Sequence, residues 1–312
     1  MKYQAYGYAG AKIATQGIDR ETFERVKEAR ATCLFALEIE ETFALLFDNF
    51  AEFEVELLRL AEFSLLWLGR ARDHTESMQE RLLLDRRLVN LLTSCRLYLD
   101  QTDDGISTLF GNPSGELTSV KEFKNDLYDS HWGYRLMEAL RNHVQHFGLA
   151  ARVITLNSFR SSGDGPDYSE FTVYPQANVK ALAENPHFKK TILGELRGQG
   201  ENIDLRGPAR EYMSCFVALH NKLRRTIGQR VEDARRAYES ATRYYASING
   251  QEVKFAELQE FSEDGDVTDE ISLVTNFLDY YDNLLKRNSV NDDIHHATAS
   301  NSDQKRTYQK KA

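Results

Sequence analysis

Between Glu138 and His146 the chain reads EALRNHVQH, and Glu138, Arg141, Asn142, His143 and His146 carry side chains that bind, orient or transfer charge. Arginine holds a phosphate through two parallel N–H bonds, and an imidazole donates or accepts a proton near neutral pH. A carboxamide beside them orients whichever group it contacts. Together these residue types are the minimum set for cutting RNA without metal. The 2′-hydroxyl attacks the adjacent phosphate, the guanidinium neutralises the developing charge, and the imidazole handles the proton.

The spacing says how the groups can meet. On a helix at about 100° per residue, Tyr134, Met137, Leu140, Val144 and Phe147 form an apolar stripe with Arg141 at its margin. Arg135, Glu138, Asn142 and His146 form the opposite face. Arg141 and His146 are then about 140° apart. They can serve one ligand if the helix end distorts, or if a second chain brings its own copy alongside. Gly148 supplies the expected C-terminal stop and would permit distortion. The C-terminal end of a helix also carries partial negative charge, which favours the charged form of a histidine placed there.

An arginine followed by four to six residues and a histidine is a weak pattern alone, yet of the eight histidines only His146 completes it. The polar Asn142 after the arginine, the amphipathic run from Ser119 before it and Gly148 after it add context. The stretch from Ser119 to Gly148 resembles the HEPN superfamily, helical-bundle proteins with a motif of Arg, a polar residue, three to five further residues and His. The resemblance implies a metal-independent endoribonuclease, with Arg141 and His146 as the catalytic pair and Asn142 as a supporting residue. Glu138 and His143 lie beside them as further supporting candidates. It also implies a homodimer in which two motifs face one cleft, an RNA substrate, and a bacterial defence or toxin–antitoxin setting with an antitoxin or other protein partner. The alternative reading is structural: Arg141 pairs with Glu138 and covers core with its stem, while His143 and His146 cap the last carbonyls. The chain would then be a non-catalytic helical interaction or scaffold protein.

Other candidates are weaker, and no cofactor or metal is predicted. His220 falls on an apolar stripe with Met213, Phe216 and Val217 and reads as a satisfied core histidine. His295 and His296 lie in a polar tail without rigid support. The glycines of GDG at 163–165 are not placed between strand and helix, so they are no phosphate loop. Cys33, Cys95 and Cys215 are odd in number and have no metal-ligand spacing, which fits a reducing cytoplasm, and Cys215 reads as buried and inert. A net charge of −9 argues against a general coat for nucleic acid, leaving only local basic clusters such as Arg86 with Arg87, Arg224 with Arg225, or Arg235 with Arg236. The N-terminal residues have no apolar run of signal-peptide length, and charges interrupt the most apolar region, 33–68, which predicts no membrane span.

The elements that must position the motif read as mainly α: a helical bundle of long helices with a small inserted β-hairpin. Helices are predicted over 19–68, with Asp19 as N-cap and a possible break near Asn49, over 75–99, and from 118 or 119 to 147. RVITL and EFTVY within 151–175 predict a hairpin with a long polar tip. Helix resumes at about 178, breaks at Pro186, runs from 208 to 248, and returns over 268–286. One domain over 1–290, with a possible split near 176, and a disordered tail over 291–312 complete the expectation.

Overall fold

The structure, a computed structural model, describes residues 1–10, 12–67, 73–161, 168–291 and 293–296. The chain is mainly helical, as predicted, but the described residues form three antiparallel sheets where one hairpin was expected. It opens with strands β1 (Lys2–Ala9) and β2 (Lys12–Ile18), in a stretch for which the sequence predicts no element. The inward positions of β1 are Tyr3, Ala5 and Gly7, so the alternation is carried mostly by small residues. Gly7 is there because a Cβ would stand 2.5 Å from Val253 Cγ1.

Helix α1 (Arg20–Leu66) begins where Asp19 Oδ1 accepts from the Thr22 amide at 2.6 Å. It is unbroken at Asn49, because Phe43, Leu46, Phe50, Phe53, Leu57 and Leu60 stay buried along the whole run. Helix α2 (His74–Phe110) starts in a capping box of Asp73 and Glu76 and runs well past the predicted end at 99, stopping at Gly111 with φ 89°. The single helix predicted to 147 is two: α3 (Gly115–Ser130), capped by Ser114, and α4 (Trp132–His146), separated by an extended His131. Strands β3 (Val153–Ser161) and β4 (Tyr168–Asn178) form the predicted hairpin, whose tip, GDG included, lies outside the described residues. Short helices α5 (Val179–Ala183) and α6 (Lys190–Leu196) flank Pro186, and β5 (Asn202–Asp204) adds a third strand to the hairpin.

Helix α7 (Arg206–Tyr244) is the second long pillar. After a two-residue pair, β6 (Ser247–Ile248) and β7 (Gln251–Glu252), come β8 (Phe255–Phe261) and β9 (Val267–Ser272). The helix predicted from 268 is therefore a strand at its start, and α8 begins only at Asn276 and ends at Arg287. The four-stranded sheet runs β2-β1-β8-β9, joining the first strands to a pair more than 230 positions later in the chain. A main core lies among α1, α2, α3, α4 and α7, and a second core, with Tyr3, Phe23, Cys33, Tyr238, Leu258 and Ile271, joins the sheet to α1 and α7. The predicted disordered tail starts with a single 3-10 turn, Ile294–His296, packed on α7, and residues 297–312 lie outside the described residues. No described helix is long and apolar enough to cross a membrane.

Candidate functional site

Helix α4 is fixed along α7 by its apolar side. Tyr134, Leu136, Met137, Ala139 and Leu140 are buried, and the Tyr134 ring meets Tyr212 and Phe216 of α7. Glu138 belongs to this seam, accepting the Tyr212 hydroxyl. The stripe does not end as the wheel predicts: Phe147 is 46% exposed, and His143 takes the inward place one turn earlier. The helix stays regular through His146, and Gly148 has no left-handed φ, so the distortion that could bring Arg141 toward His146 within one chain does not occur.

Arg141 is largely shielded. Its Nη1 donates to Gln145 Oε1 at 2.7 Å, its Nη2 lies 3.9 Å from Glu138 Oε2, and its Nε is buried without a partner. Asn142 and His146 are exposed on the other face. No hydrogen bond or ion pair joins Arg141 to His146 among the described residues. The carbonyl of His143 accepts the amides of Phe147 at 2.8 Å and Gly148 at 3.1 Å, and among the described residues neither histidine side chain bonds a carbonyl of the last turn.

His143 is the group whose surroundings say most. It is 1% exposed, its ring between Phe147 and Phe188. Asn185 Oδ1 accepts the His187 amide at 2.9 Å, which turns Asn185 Nδ2 toward His143 Nδ1 at 3.1 Å. An amide nitrogen only donates, so Nδ1 accepts and the proton of the neutral ring is on Nε2. Burial, and then the nearby Arg152, push this imidazole below its ordinary pKa and hold it neutral. Nε2–H is buried and has no acceptor among the described residues.

Arg152 stands beside it. A Cβ on Gly148 would lie 2.9 Å from Arg152 Nη2 and 3.8 Å from His143 Nε2, so a side chain here would push the guanidinium aside. Asp85 of α2, fully buried, accepts the Ala151 amide at 2.8 Å and leaves Oδ2 unpartnered. Burial pushes its carboxyl up to about 6, partly opposed by the Ala151 amide and the charges of Arg81 and Arg152. The sequence reading missed Asp85, Arg81, Arg152 and Asn185. Their approach to the end of α4 is made by tertiary contacts between segments up to 66 positions apart, as for Asp85 and Ala151, and no local pattern announces it.

The remaining candidates resolve as structure. His220 is buried, stacked on Phe43 at 3.8 Å, with Nδ1 2.9 Å from the Tyr98 hydroxyl and Nε2 3.3 Å from Glu40. Arg224 donates to both oxygens of Glu40, and Asn288 to its carboxylate at 2.8 Å. Burial would raise the Glu40 carboxyl, but the bonds from His220 and Arg224 outweigh it and hold it at about 2. Burial keeps His220 below its ordinary value, so the pair is a carboxylate and a neutral imidazole, its charge balanced by Arg224. The cysteines are free and buried, and burial lifts the Cys215 thiol to about 12. Arg87, Arg224, Arg235 and Arg236 are ion-paired. His295 and His296 are better supported than predicted. Ile294 packs on the main core, His295 meets Ser214 at 3.1 Å, and with Asp293 they place three ligand atoms within 4.8 Å of one another on an exposed surface.

No family model, curated protein or solved structure matches the chain.

Proposed function

We propose that the chain is a metal-independent endoribonuclease of the HEPN type, working as a homodimer in which Arg141 and His146 of α4 act on an RNA phosphodiester. A 2′-hydroxyl attacks the adjacent phosphorus, the bond to the 5′-oxygen breaks, and a 2′,3′-cyclic phosphate remains. His146 moves the proton between the two oxygens, and Arg141 binds the phosphate. The observation that carries the reading is the state of the α4 terminus. Asn142 and His146 are exposed, and among the described residues neither side chain is bonded to a carbonyl of the last turn. With a regular helix keeping Arg141 away from His146, one cleft needs a second copy. A defence or toxin–antitoxin role, with a protein that silences the enzyme, is the setting the motif suggests.

The second reading is a non-catalytic interaction protein. It is favoured by the contacts of Arg141 with Glu138 and Gln145, and by Val55, Leu58, Leu65, Leu66, Met78 and Leu82, which expose apolar surface on the α1–α2 hairpin.

The deciding experiment is incubation of purified protein with RNA in a chelator. Cleavage should persist, and Arg141→Ala and His146→Ala should each reduce it by about 100-fold or more, with unchanged thermal unfolding. Asn142→Ala should be milder. Absence of cleavage by the intact protein, or loss of folding in place of loss of activity, would favour the second reading.

A further inference from the structure

Two hydrogen-bond donors converge beside Gly148, and no acceptor meets them. The neutral His143 ring presents Nε2–H, buried and unpartnered. Arg152, an exposed residue with no hydrogen-bonded or ion-paired partner among the described residues, holds Nη2 within 2.9 Å of the point where a Gly148 Cβ would stand, and His143 Nε2 is 3.8 Å from that same point. The nearest helix-end carbonyl, that of His143, already accepts two amides. Asp85 interacts electrostatically with Arg81 and Arg152, but its Oδ2 is buried and makes no hydrogen bond among the described residues. The tautomer is set by the chain His187 amide, Asn185, His143, so the donor cannot turn into an acceptor while that chain holds.

Two donors, one cationic and one neutral, dry and oriented by Asn185, call for an oxyanion. Because His143 lies one turn before His146 on α4 and Arg152 lies on the segment that follows it, we propose that Arg152 and His143 form a second phosphate site, which binds a backbone phosphate of the RNA neighbouring the one at His146. This rests on the ribonuclease reading and deepens it: the substrate is a chain of at least two consecutive phosphates, and a mononucleotide is held poorly. The bond from Arg152 is charge-assisted and exchangeable with salt, whereas that from His143 is specific in direction. Gly148 keeps the site open.

The test uses the full chain and a 2′-O-methyl oligoribonucleotide, which binds but has no free 2′-hydroxyl to attack. Affinity is measured over a series of salt concentrations. Arg152→Ala should weaken binding about tenfold at low salt and lower the slope of log affinity against log salt by about one. Arg152→Lys should restore part of the affinity. Gly148→Ala should act like Arg152→Ala, since the methyl displaces the guanidinium without straining the backbone, and it leaves Arg152 in the chain should Arg152→Ala unfold. Unchanged affinity and slope in both Arg152→Ala and Gly148→Ala would overturn the second site, even where Arg141→Ala and His146→Ala abolish cleavage. Should inorganic phosphate bind in an Arg152-dependent way while the oligonucleotide ignores Arg152, the assignment to RNA is overturned. Arg152-dependent oligonucleotide binding without any cleavage by the intact protein would uphold the phosphate site and remove the catalytic reading instead.

Discussion

At the scale of single residues, two buried carboxyls divide the pH axis between them. Glu40 has a folded-state pKa of about 2 against an ordinary 4.5, so its contribution is complete above about pH 4.5 and is lost as pH falls toward 2. Asp85 is shifted the other way, from 3.8 to about 6, so its contribution is complete below about pH 3.8 and is lost as pH rises through 6. Each shift corresponds to about 3 kcal/mol. Stability measured by urea unfolding should therefore peak near pH 4 to 5, between the two titrations. Asp85→Asn should flatten the neutral side of that curve, and Glu40→Gln the acid side. Glu40→Gln should also cost about 3 kcal/mol or more near neutrality, because Arg224 and His220 lose a buried charged partner. A profile that rises steadily from pH 4 to 7 in the wild type would contradict the Asp85 assignment.

At the scale of elements, two helical glycines should respond oppositely to the same substitution. Gly105 in α2 faces α1, and a Cβ there would stand 1.8 Å from the Phe35 ring, so Gly105→Ala should destabilise by about 1–3 kcal/mol despite the better helix propensity. Gly228, exposed in α7 with nothing within 4 Å, should gain about 0.5–1 kcal/mol as alanine. Thermal unfolding of the two variants checks the pair. The same elements show what the sequence made legible. Asp19, Pro186 and the β-branched runs of the 151–175 hairpin act locally, and the structure follows them. β1 escaped because two of its three inward positions, Ala5 and Gly7, are too small to give an alternating apolar signal. β8 falls between predicted elements and β9 within the helix predicted over 268–286, because Glu260 and Asp269 stand on the inward side with Leu258 and Ile271 and interrupt the apolar alternation. The break at His131 has no proline, and the contact that accompanies it is distant: the Gly133 amide donates to Glu211 Oε2 at 2.6 Å. At the site, the types and spacing of Arg141, Asn142 and His146 were readable, but the burial of His143 was not, since it depends on Asn185 and Phe188.

At the scale of the whole molecule, the ribonuclease reading requires two chains, and complementation tests it directly. Arg141→Ala and His146→Ala proteins, each inactive alone, should recover partial cleavage when mixed and allowed to exchange subunits, because a two-fold cleft draws its groups from both chains. Activity that persists in a protein shown to be monomeric at the assay concentration would overturn the composite cleft. The topology of the larger sheet has a separate consequence, for biosynthesis. Its central pairing joins β1 to β8, with Tyr3 bonded to Glu260 across 257 positions. A ribosome adding about 5–20 residues per second emits β1 roughly 10–50 s before β8 can reach it. Throughout that interval the nascent N-terminal hairpin has an open edge, and the first turns of α1 lack their cover. The fold therefore closes only after most of the chain has been translated, and a chain truncated before β8 keeps a sticky strand edge at its start.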